Sequence, residues 1–272
     1  MSTIPTMPIG VEQFVERRPD YPYAGTAIVA FLDLLGFTER LRETWNTPSN
    51  VLDLLLQLKV DASNAFGQAG WYNTVIDGGG AATTYLYPYN VISISDSIVL
   101  RVVAEDGKFG TPGGAEQRDI YGAFCAVKTI TQFVIARAAE LGFGLRGGIE
   151  FGDIYMTATE TIGPSFLDAY YLETKAKSAR VVIGPQLCEH LQHHPAGRLR
   201  LNDDIYVCAD SLLAVHPGDA SLIGLRNNAP TKVKAKYDEV ISAQGRPIGE
   251  SLPPRGWLLA AEAATSLMCA KS

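Results

Sequence analysis

Apolar residues recur along the chain in two kinds of run: short runs rich in β-branched and aromatic residues, and longer runs with helical spacing. The first clear run, residues 27–32, has the length and composition of a buried central strand. The amphipathic segment 39–45 follows it closely, and helices are predicted over residues 36–44 and 48–66. The opening of the chain therefore predicts a strand that leads directly into two helices.

The same pattern continues through the middle of the chain. Residues 90–103 are typical of two strands joined tightly around Ser95, Asp96 and Ser97. The next predicted elements are a helix over 119–141, a strand over 145–151 with its partner over 153–158 across a Gly152-Asp153 turn, a helix over 165–178 and a strand over 180–183. This order is the ferredoxin-like β-α-β-β-α-β scheme with additions, so the predicted fold class is α+β, with one antiparallel-rich sheet backed by helices.

Both ends lie outside this scheme. Residues 1–24 are Pro-rich, with a short helical stretch near 11–17, and are interpreted as an arm; residues 67–89 are predicted to be a loop apart from a strand over 71–76. We expect a core over 25–186 and a C-terminal α/β appendage over 187–272 that shares it, so that residues 1–272 form a single domain. The appendage is predicted to hold a helix to His193, two strands around Asn202-Asp203, a loop over 217–230, and helices near 232–242 and 257–269.

Composition excludes several classes of protein. With 47% hydrophobic and 19% charged residues the chain is not disordered, and no stretch approaches the length of a membrane helix. The four cysteines are widely spaced without a CxxC, which indicates reduced thiols, and the N-terminus has no pattern of a secretory signal, so we expect a cytoplasmic protein. A net charge of −6 without a basic block argues against a dedicated nucleic-acid binder but not against a nucleotide substrate.

Two aspartates are the main candidates for chemistry. Asp33 follows the first strand directly, and Asp96 lies at the tip of the predicted hairpin. Taken singly, either residue is more typical of a turn former or a helix cap. Together, on adjacent central strands, they could hold two divalent cations side by side. Gly36 lets the main chain pass close to a ligand, and the amides of the helix start behind it favour phosphate.

Three other patterns are rejected as sites. The glycines at 78–80 lack the lysine and hydroxyl of a phosphate loop. The glycines of a literal GxGxxG at 142–147 follow a helix and enter a strand, which reverses the order that a dinucleotide fold requires. The histidines within 190–194 lie at a predicted helix end with no acidic or cysteine companion, and are interpreted as a solvated helix terminus.

Four segments, within residues 27–186, resemble the class III nucleotidyl cyclases. They are FLDLLGFTERLRE, which resembles the first metal-aspartate motif; SISDSIVL, the second-aspartate hairpin; LRGGIEFGDIY, the strand pair; and TIGPSFLDAYYLETKAKSARVVIG, the late helix and final strand. The resemblance implies that Asp33 and Asp96 bind two Mg²⁺ or Mn²⁺ ions and that the backbone at Leu34 adds a ligand. It further implies that the triphosphate is held by the backbone of Leu34, Leu35, Gly36, Phe37 and Thr38.

The chain departs from the purine cyclases at the base-reading positions. Ile92 stands where they carry a Lys or Glu, and Glu160 aligns with the other base-reading residue. The spelling A-Y-x-L-E-x-K followed by A-R-V-V-I is most similar to the pyrimidine cyclases of the Pycsar anti-phage systems. This implies conversion of UTP, or else CTP, to a cyclic monophosphate that a separate effector reads, with Glu160, a backbone amide or Tyr171 contacting the base.

The chain also lacks the Asn and Arg of the family's late helix, whose positions hold Leu167 and Tyr171. A transition-state cation must then come from elsewhere, and the candidates are Arg180, Lys175 and Arg146. The family acts as a head-to-tail dimer, which implies a homodimer with sites at its interface. Three alternatives stay open: an active pyrimidine cyclase, a purine cyclase, and a degenerate module that binds nucleotide or a partner without turnover.

Overall fold

The structure is a computed structural model that describes residues 11–15, 22–47, 51–65, 71–76, 82–87, 89–104, 120–193, 205–208, 210–216 and 235. The strands in this part of the chain are β1 (Val11–Val15), β2 (Tyr23–Leu35), β3 (Trp71–Ile76), β4 (Ala82–Tyr87), β5 (Tyr89–Ile94), β6 (Ser97–Val103), β7 (Gly144–Met156), β8 (Thr161–Ile162), β9 (Val181–Ile183), β10 (Ile205–Val207) and β11 (Leu213–Val215). The helices are α1 (Phe37–Thr44), α2 (Val51–Asn64), α3 (Ile120–Glu140), α4 (Pro164–Ala176) and α5 (Pro185–His193).

The main sheet is built around β2. Its strand order is β10-β11-β9-β7-β2-β6-β5, so β2 lies between β6 and β7 and pairs with both in antiparallel fashion. Strands β2, β5, β6 and β7, with helices α1–α3 between them, form the ferredoxin-like β-α-β-β-α-β arrangement. The predicted α+β class and ferredoxin-like core are confirmed.

The sheet continues beyond this core on the β7 side. Helix α4 carries the chain back to β9, which pairs in parallel with β7, and β11 then pairs with β9 in antiparallel fashion. The predicted strand pair around residues 202–203 is observed slightly later, as β10 and β11. The described part of the appendage therefore extends the main sheet, while the predicted loop over 217–230 and helices near 232–242 and 257–269 lie outside the described residues.

Helices cover both faces of the sheet. On one face, Ile28, Ala30 and Leu32 of β2 pack in a cluster with residues of α2, α3 and α5. On the other face, Ala27, Val29 and Phe31 form a second cluster that includes Ala169 of α4. Because both faces of β2 are buried, its sequence is a continuous apolar run rather than an alternating one. None of the described helices is long and apolar enough to cross a membrane.

Three local predictions are wrong, because pairing between strands overrides the local sequence preference. Residues 11–15 form β1, which pairs in parallel with β4, instead of a short helix. Residues 82–87, predicted to be loop, form a hairpin with β3. The predicted turn at Gly152-Asp153 is absent, since β7 runs through it as one strand of 13 residues paired with β2 along its whole length, and its short partner is β8.

Glycine at position 148 allows α4 to lie against β7. A Cβ atom at Gly148 would meet the Ala169 carbonyl oxygen and the Leu172 Cβ, both at 2.4 Å. These atoms belong to the backbone and inner side of α4, so the helix would have to move away from the sheet. The close approach matters for the site, because the next turn of α4 carries Glu173.

We predict that Gly148→Ala destabilises the protein by about 1–3 kcal/mol, the usual cost of overpacking a well-packed interface. The matched control is Gly144→Ala on the same strand, where the added Cβ would meet its nearest atom, the Ala179 Cβ, at 3.3 Å. Urea unfolding followed by circular dichroism measures both variants. An equal effect of the two substitutions would contradict a close contact specific to α4.

Candidate functional site

Asp33 lies near the end of β2, directly across from a polar residue on each neighbouring strand. In the sheet register it faces Ser97 of β6 and Arg146 of β7. The Ser97 hydroxyl donates to Asp33 Oδ1 at 3.1 Å, and Arg146 Nη2 donates to Oδ2 at 3.2 Å. Among the described residues each oxygen of the carboxylate therefore has one donor, and antiparallel strand pairing places both donors.

Asp96 lies at the β5–β6 turn, next to Asp33. Residue 95 of this turn has a positive φ of 54°, and its carbonyl accepts a hydrogen bond from Lys59 Nζ of α2 at 2.6 Å. The charge of Asp96 acts on both Asp33 and Lys59. The predicted hairpin-tip position of Asp96 is confirmed, and the structure brings it into one electrostatic group with Asp33.

This environment raises the pKa of Asp33. Burial is the largest cause and the repulsion of Asp96 is the second, while Arg146 and the Ser97 hydroxyl act in the opposite direction. Two carboxylates of which one is largely buried carry an excess of negative charge that a divalent cation would offset. The donor chemistry of the pair therefore suits Mg²⁺ or Mn²⁺, which prefer oxygen ligands.

A third carboxylate belongs to the same electrostatic group as Asp33 and Asp96. Glu173 of α4 is 4% exposed and forms an ion pair with Arg146 through its Oε1 and the arginine Nε. Burial raises the pKa of Glu173, and the charge of Arg146 is the main opposing cause. In the described part of the chain, no group of three or more His, Cys, Asp or Glu side chains has the geometry of a metal site. Water or substrate oxygens would have to complete the coordination.

Sequence reasoning missed Glu173 and Lys59 as members of the site. Glu173 had a usable signal, because it occurs among the buried residues Ala169, Leu172 and Ala176, which share one face of α4. A charged residue on an apolar helix face requires a partner inside the protein. Lys59 had no such signal, since its link to residue 95 joins positions 36 residues apart in the chain.

The backbone after Asp33 is paired on one side only. The β2–β7 ladder continues to Leu35, opposite Gly144, whereas the β2–β6 ladder ends at Asp33, opposite Ser97. The side chains of Leu34 and Leu35 are buried, so these residues offer only their backbone to a ligand. After Asp33, the backbone groups of β2 that face the β6 side have no ladder partner among the described residues.

The chain then turns sharply into α1. Gly36 has φ 81° and ψ 7°, a left-handed conformation that glycine adopts without strain, and no side chain among the described residues caps the helix. Phe37 is buried with its ring centroid 6.2 Å from that of Phe143, and Thr38 is exposed. The first amides of α1 are thus uncapped next to Asp33, as the predicted phosphate-binding backbone over residues 34–38 requires.

The two candidate base-reading residues lie on β5 and just before β8. Ile92 is half-buried on β5, opposite Val99, and packs against the apolar cluster on the α4 face. The Glu160 side chain is exposed, while its carbonyl accepts a 2.7 Å hydrogen bond from Arg101, a buried residue of β6. Arg101 also donates to Thr161 at 2.7 Å and to Asn90, so it ties the turn before β8 to strands β5 and β6.

The remaining candidates divide into exposed and engaged residues. Tyr171 is 57% exposed on α4, and Lys175 is exposed near the end of that helix. Arg180 is 4% exposed: its Nε donates to the Ala176 carbonyl at 2.7 Å, and its two terminal nitrogens bind Asp210. Because Asp210 lies in the β10–β11 turn, Arg180 serves to attach the added strands. The structure brings Arg146, and neither Arg180 nor Lys175, to Asp33.

Comparisons with known proteins yield distant structural similarities. No known family model and no curated protein matches the chain. The adenylyl cyclase CyaB from P. aeruginosa covers 71% of this chain and 94% of its own length at 15% identity and a TM-score of 0.41. The catalytic core of a rhodopsin-guanylyl cyclase with converted specificity, in complex with ATPαS, covers 62% of this chain and 82% of its own length at 14% identity and a TM-score of 0.40. A class III adenylyl cyclase-like ATP-binding protein from Pseudomonas aeruginosa covers 80% of this chain and 46% of its own length at 15% identity and a TM-score of 0.44. These values are too low to transfer an activity or a residue role.

We predict that Asp33→Asn raises the free energy of unfolding in EDTA at neutral pH. An acid whose pKa is raised on folding opposes folding when it is ionised, and this penalty disappears as the pH falls through its folded pKa. The advantage of the variant should therefore shrink as the pH is lowered toward the usual pKa of an aspartate. Urea unfolding at several pH values measures it. A variant less stable than wild type at neutral pH would mean that the bonds from Ser97 and Arg146 outweigh burial and repulsion.

Proposed function

We propose that the protein is a nucleotidyl cyclase that converts a nucleoside triphosphate to its 3′,5′-cyclic monophosphate and pyrophosphate. The observation that carries the proposal is the placement of Asp33 beside Asp96, with Arg146 directly across on β7 and the uncapped start of α1 immediately after. These are a carboxylate pair for cations, a fixed positive charge and backbone donors for phosphate, all within one end of the sheet. The class III cyclase motifs fall on these same elements.

The reaction requires little covalent chemistry from the protein. The ribose 3′-oxygen attacks the α-phosphorus, the bond to the bridging oxygen breaks, pyrophosphate leaves, and the 3′-hydroxyl proton passes to solvent or to pyrophosphate. Asp33, Asp96 and the backbone carbonyl of Leu34 would hold two Mg²⁺ or Mn²⁺ ions. Such ions would orient and activate the attacking 3′-oxygen and neutralise the negative charge of the phosphates. Backbone amides over residues 35–38 would orient the triphosphate, and the guanidinium of Arg146 would stabilise the charge that develops on it.

We further propose a pyrimidine substrate, UTP in preference to CTP. Ile92 offers no hydrogen bond and belongs to an apolar cluster, so a purine edge placed there would lose roughly 1–3 kcal/mol for each buried group left unpaired. A smaller base could instead be contacted by Glu160, a backbone amide or the exposed Tyr171. A cyclic pyrimidine nucleotide would act as a second messenger for a separate effector, and the sequence resemblance favours a cytoplasmic role in anti-phage defence.

A homodimer is part of this proposal. Leu167, Tyr170 and Tyr171 occur at helical spacing on α4 and are 50%, 44% and 57% exposed. Ile162 and Tyr155, on the neighbouring paired strands β8 and β7, are 64% and 45% exposed. An apolar surface of this kind is more typical of an interface than of a solvated helix. A second copy of the chain would cover it and complete the base-reading part of the site.

The second candidate function is a cyclase-fold module that binds a nucleotide or a partner without turnover. It is favoured by one observation: the late-helix positions where active relatives carry Asn and Arg are Leu167 and Tyr171, and both are exposed and apolar or aromatic. In the described part of the chain, the cationic side chains at the carboxylate pair would then be Arg146 and Lys59. Activity tests distinguish the two functions.

The pure protein, incubated with Mn²⁺ and each of the four nucleoside triphosphates, should form cyclic UMP at least about tenfold faster than cyclic AMP or GMP, because base contacts alone distinguish the substrates. Mass spectrometry of the products measures this. Asp33→Ala and Asp96→Ala should abolish product while circular dichroism stays unchanged.

Each outcome of this assay has a distinct meaning. Faster product from ATP would overturn the pyrimidine assignment and leave the cyclase. Nucleotide-dependent thermal stabilisation without pyrophosphate would support the binding module. Near wild-type turnover by either aspartate variant would exclude the two-metal site. The matched control is Asp53→Ala, an exposed carboxylate in the first turn of α2.

Light scattering should give twice the mass of one chain at the concentrations used for activity. Leu167→Arg should shift the protein to a monomer and reduce turnover together, because a buried charge opposes association through α4. Leu56→Arg, which changes another exposed leucine on α2, is the control. A wild-type monomer with full activity would exclude the shared site.

A further inference from the structure

Glu173 is a buried acid with one ionic partner in the described part of the chain. Its side chain is 5% exposed, and it contacts the guanidinium of Arg146. Neither Glu173 Oε1 nor Arg146 Nε has a hydrogen-bond partner elsewhere among the described residues, so each depends on the other. A buried carboxylate is costly unless it is paired, which makes this contact a determinant of where the guanidinium lies.

Arg146 is held at two points and remains partly open. Its Nε faces Glu173, its Nη2 donates to Asp33 at 3.2 Å, and the side chain is 32% exposed. A guanidinium has five N–H donors in a planar fork, so contacts with Asp33 and Glu173 leave donors on the terminal nitrogens. The two carboxylates thus present the free edge of the fork to solvent beside Asp33.

Without Glu173, the same guanidinium would have a different preferred partner. Arginine and carboxylate groups favour a bidentate pair with two parallel hydrogen bonds. Asp33 is the other carboxylate in contact with Arg146, so loss of Glu173 would let the fork rotate onto both Asp33 oxygens. That pair would occupy the oxygens that a cation needs and would withdraw the donors that a phosphate needs.

We propose that Glu173 is a positioning residue that acts through Arg146: it keeps the guanidinium aimed at the triphosphate and prevents it from closing on Asp33. This role rests on the proposed cyclase function of the same site. It goes further by assigning a task to a residue of α4 that acts on the site through Arg146. It also gives a physical reason for the close packing of α4 at Gly148, since that packing sets the distance between Glu173 and β7.

The decisive variant is Glu173→Gln, which keeps the size of the side chain and removes its charge. We expect the concentration of Mn²⁺ at half-saturation to rise roughly tenfold, in line with the coupling between residues in direct contact. Mn²⁺ binding without nucleotide is measured by electron paramagnetic resonance of the free ion, and the KM for UTP should rise as well. Glu140→Gln is the matched control, because this exposed glutamate also pairs with an arginine, but with Arg137 instead of Arg146.

A double-mutant cycle separates positioning from simple charge. In an Arg146→Gln background, Glu173→Gln should cause no further loss of Mn²⁺ affinity, since the arginine through which it acts is gone. Glu173→Asp, which keeps the charge but shortens the side chain, should recover only part of the loss. An equal effect of Glu173→Gln with and without Arg146, or full recovery by Glu173→Asp, would overturn the positioning role.

The readouts also distinguish this proposal from the function on which it rests. If wild type binds Mn²⁺, the variants bind it as expected and no cyclic nucleotide forms, the cyclase function fails and the role of Glu173 stands. If wild type makes product and Glu173→Gln matches it in Mn²⁺ affinity and KM, the role of Glu173 fails alone. Should the Glu173 variants not fold, Arg146→Lys tests the same fork, and a wild-type Mn²⁺ affinity for that variant would overturn the proposal.

Discussion

Asp33 carries a negative charge in a largely apolar place beside a second carboxylate, and the surrounding elements are arranged to tolerate that charge. Burial and Asp96 both raise its pKa, and among the described residues the Ser97 hydroxyl and Arg146 counteract them. Both of those donors come from strands that pair directly with β2. The protein therefore has an unfavourable charge at the end of its central strand, and a bound cation would offset it.

The architecture explains why the charge occurs at this point. Upstream of Asp33, both faces of β2 are covered by helices, and residues 27–32 are all buried, so a charge there would have no route to solvent. At Asp33 the β6 ladder ends while the β7 ladder continues, and the backbone then turns at Gly36. The strand end is thus the first position where a carboxylate, unpaired backbone groups and a helix start occur together.

The arginines show how tertiary contacts assign roles that residue type alone does not. Arg101, Arg146 and Arg180 each lie on or beside a core strand. Arg101 binds the turn before β8, and Arg180 binds Asp210 of the added strands, so both are engaged in holding the chain together. Arg146 has carboxylates on two sides but keeps an exposed edge. Its position opposite Asp33 follows from strand register, which a shift of one residue would destroy.

The sequence by itself determined the α+β class, the central strand, the tight hairpin at Asp96 and the glycine turn after Asp33, because these depend on local composition and on apolar periodicity. It could not determine that residues 11–15 form a strand with β4 or that β7 runs through Gly152, since distant partners override local preferences there. The tertiary structure alone decided which cationic side chain contacts Asp33. Arg146 is 113 residues away in the chain, and Glu173 reaches it only because Gly148 lets α4 approach the sheet. Such pairings depend on register and on helix packing, and neither is a property of any short segment.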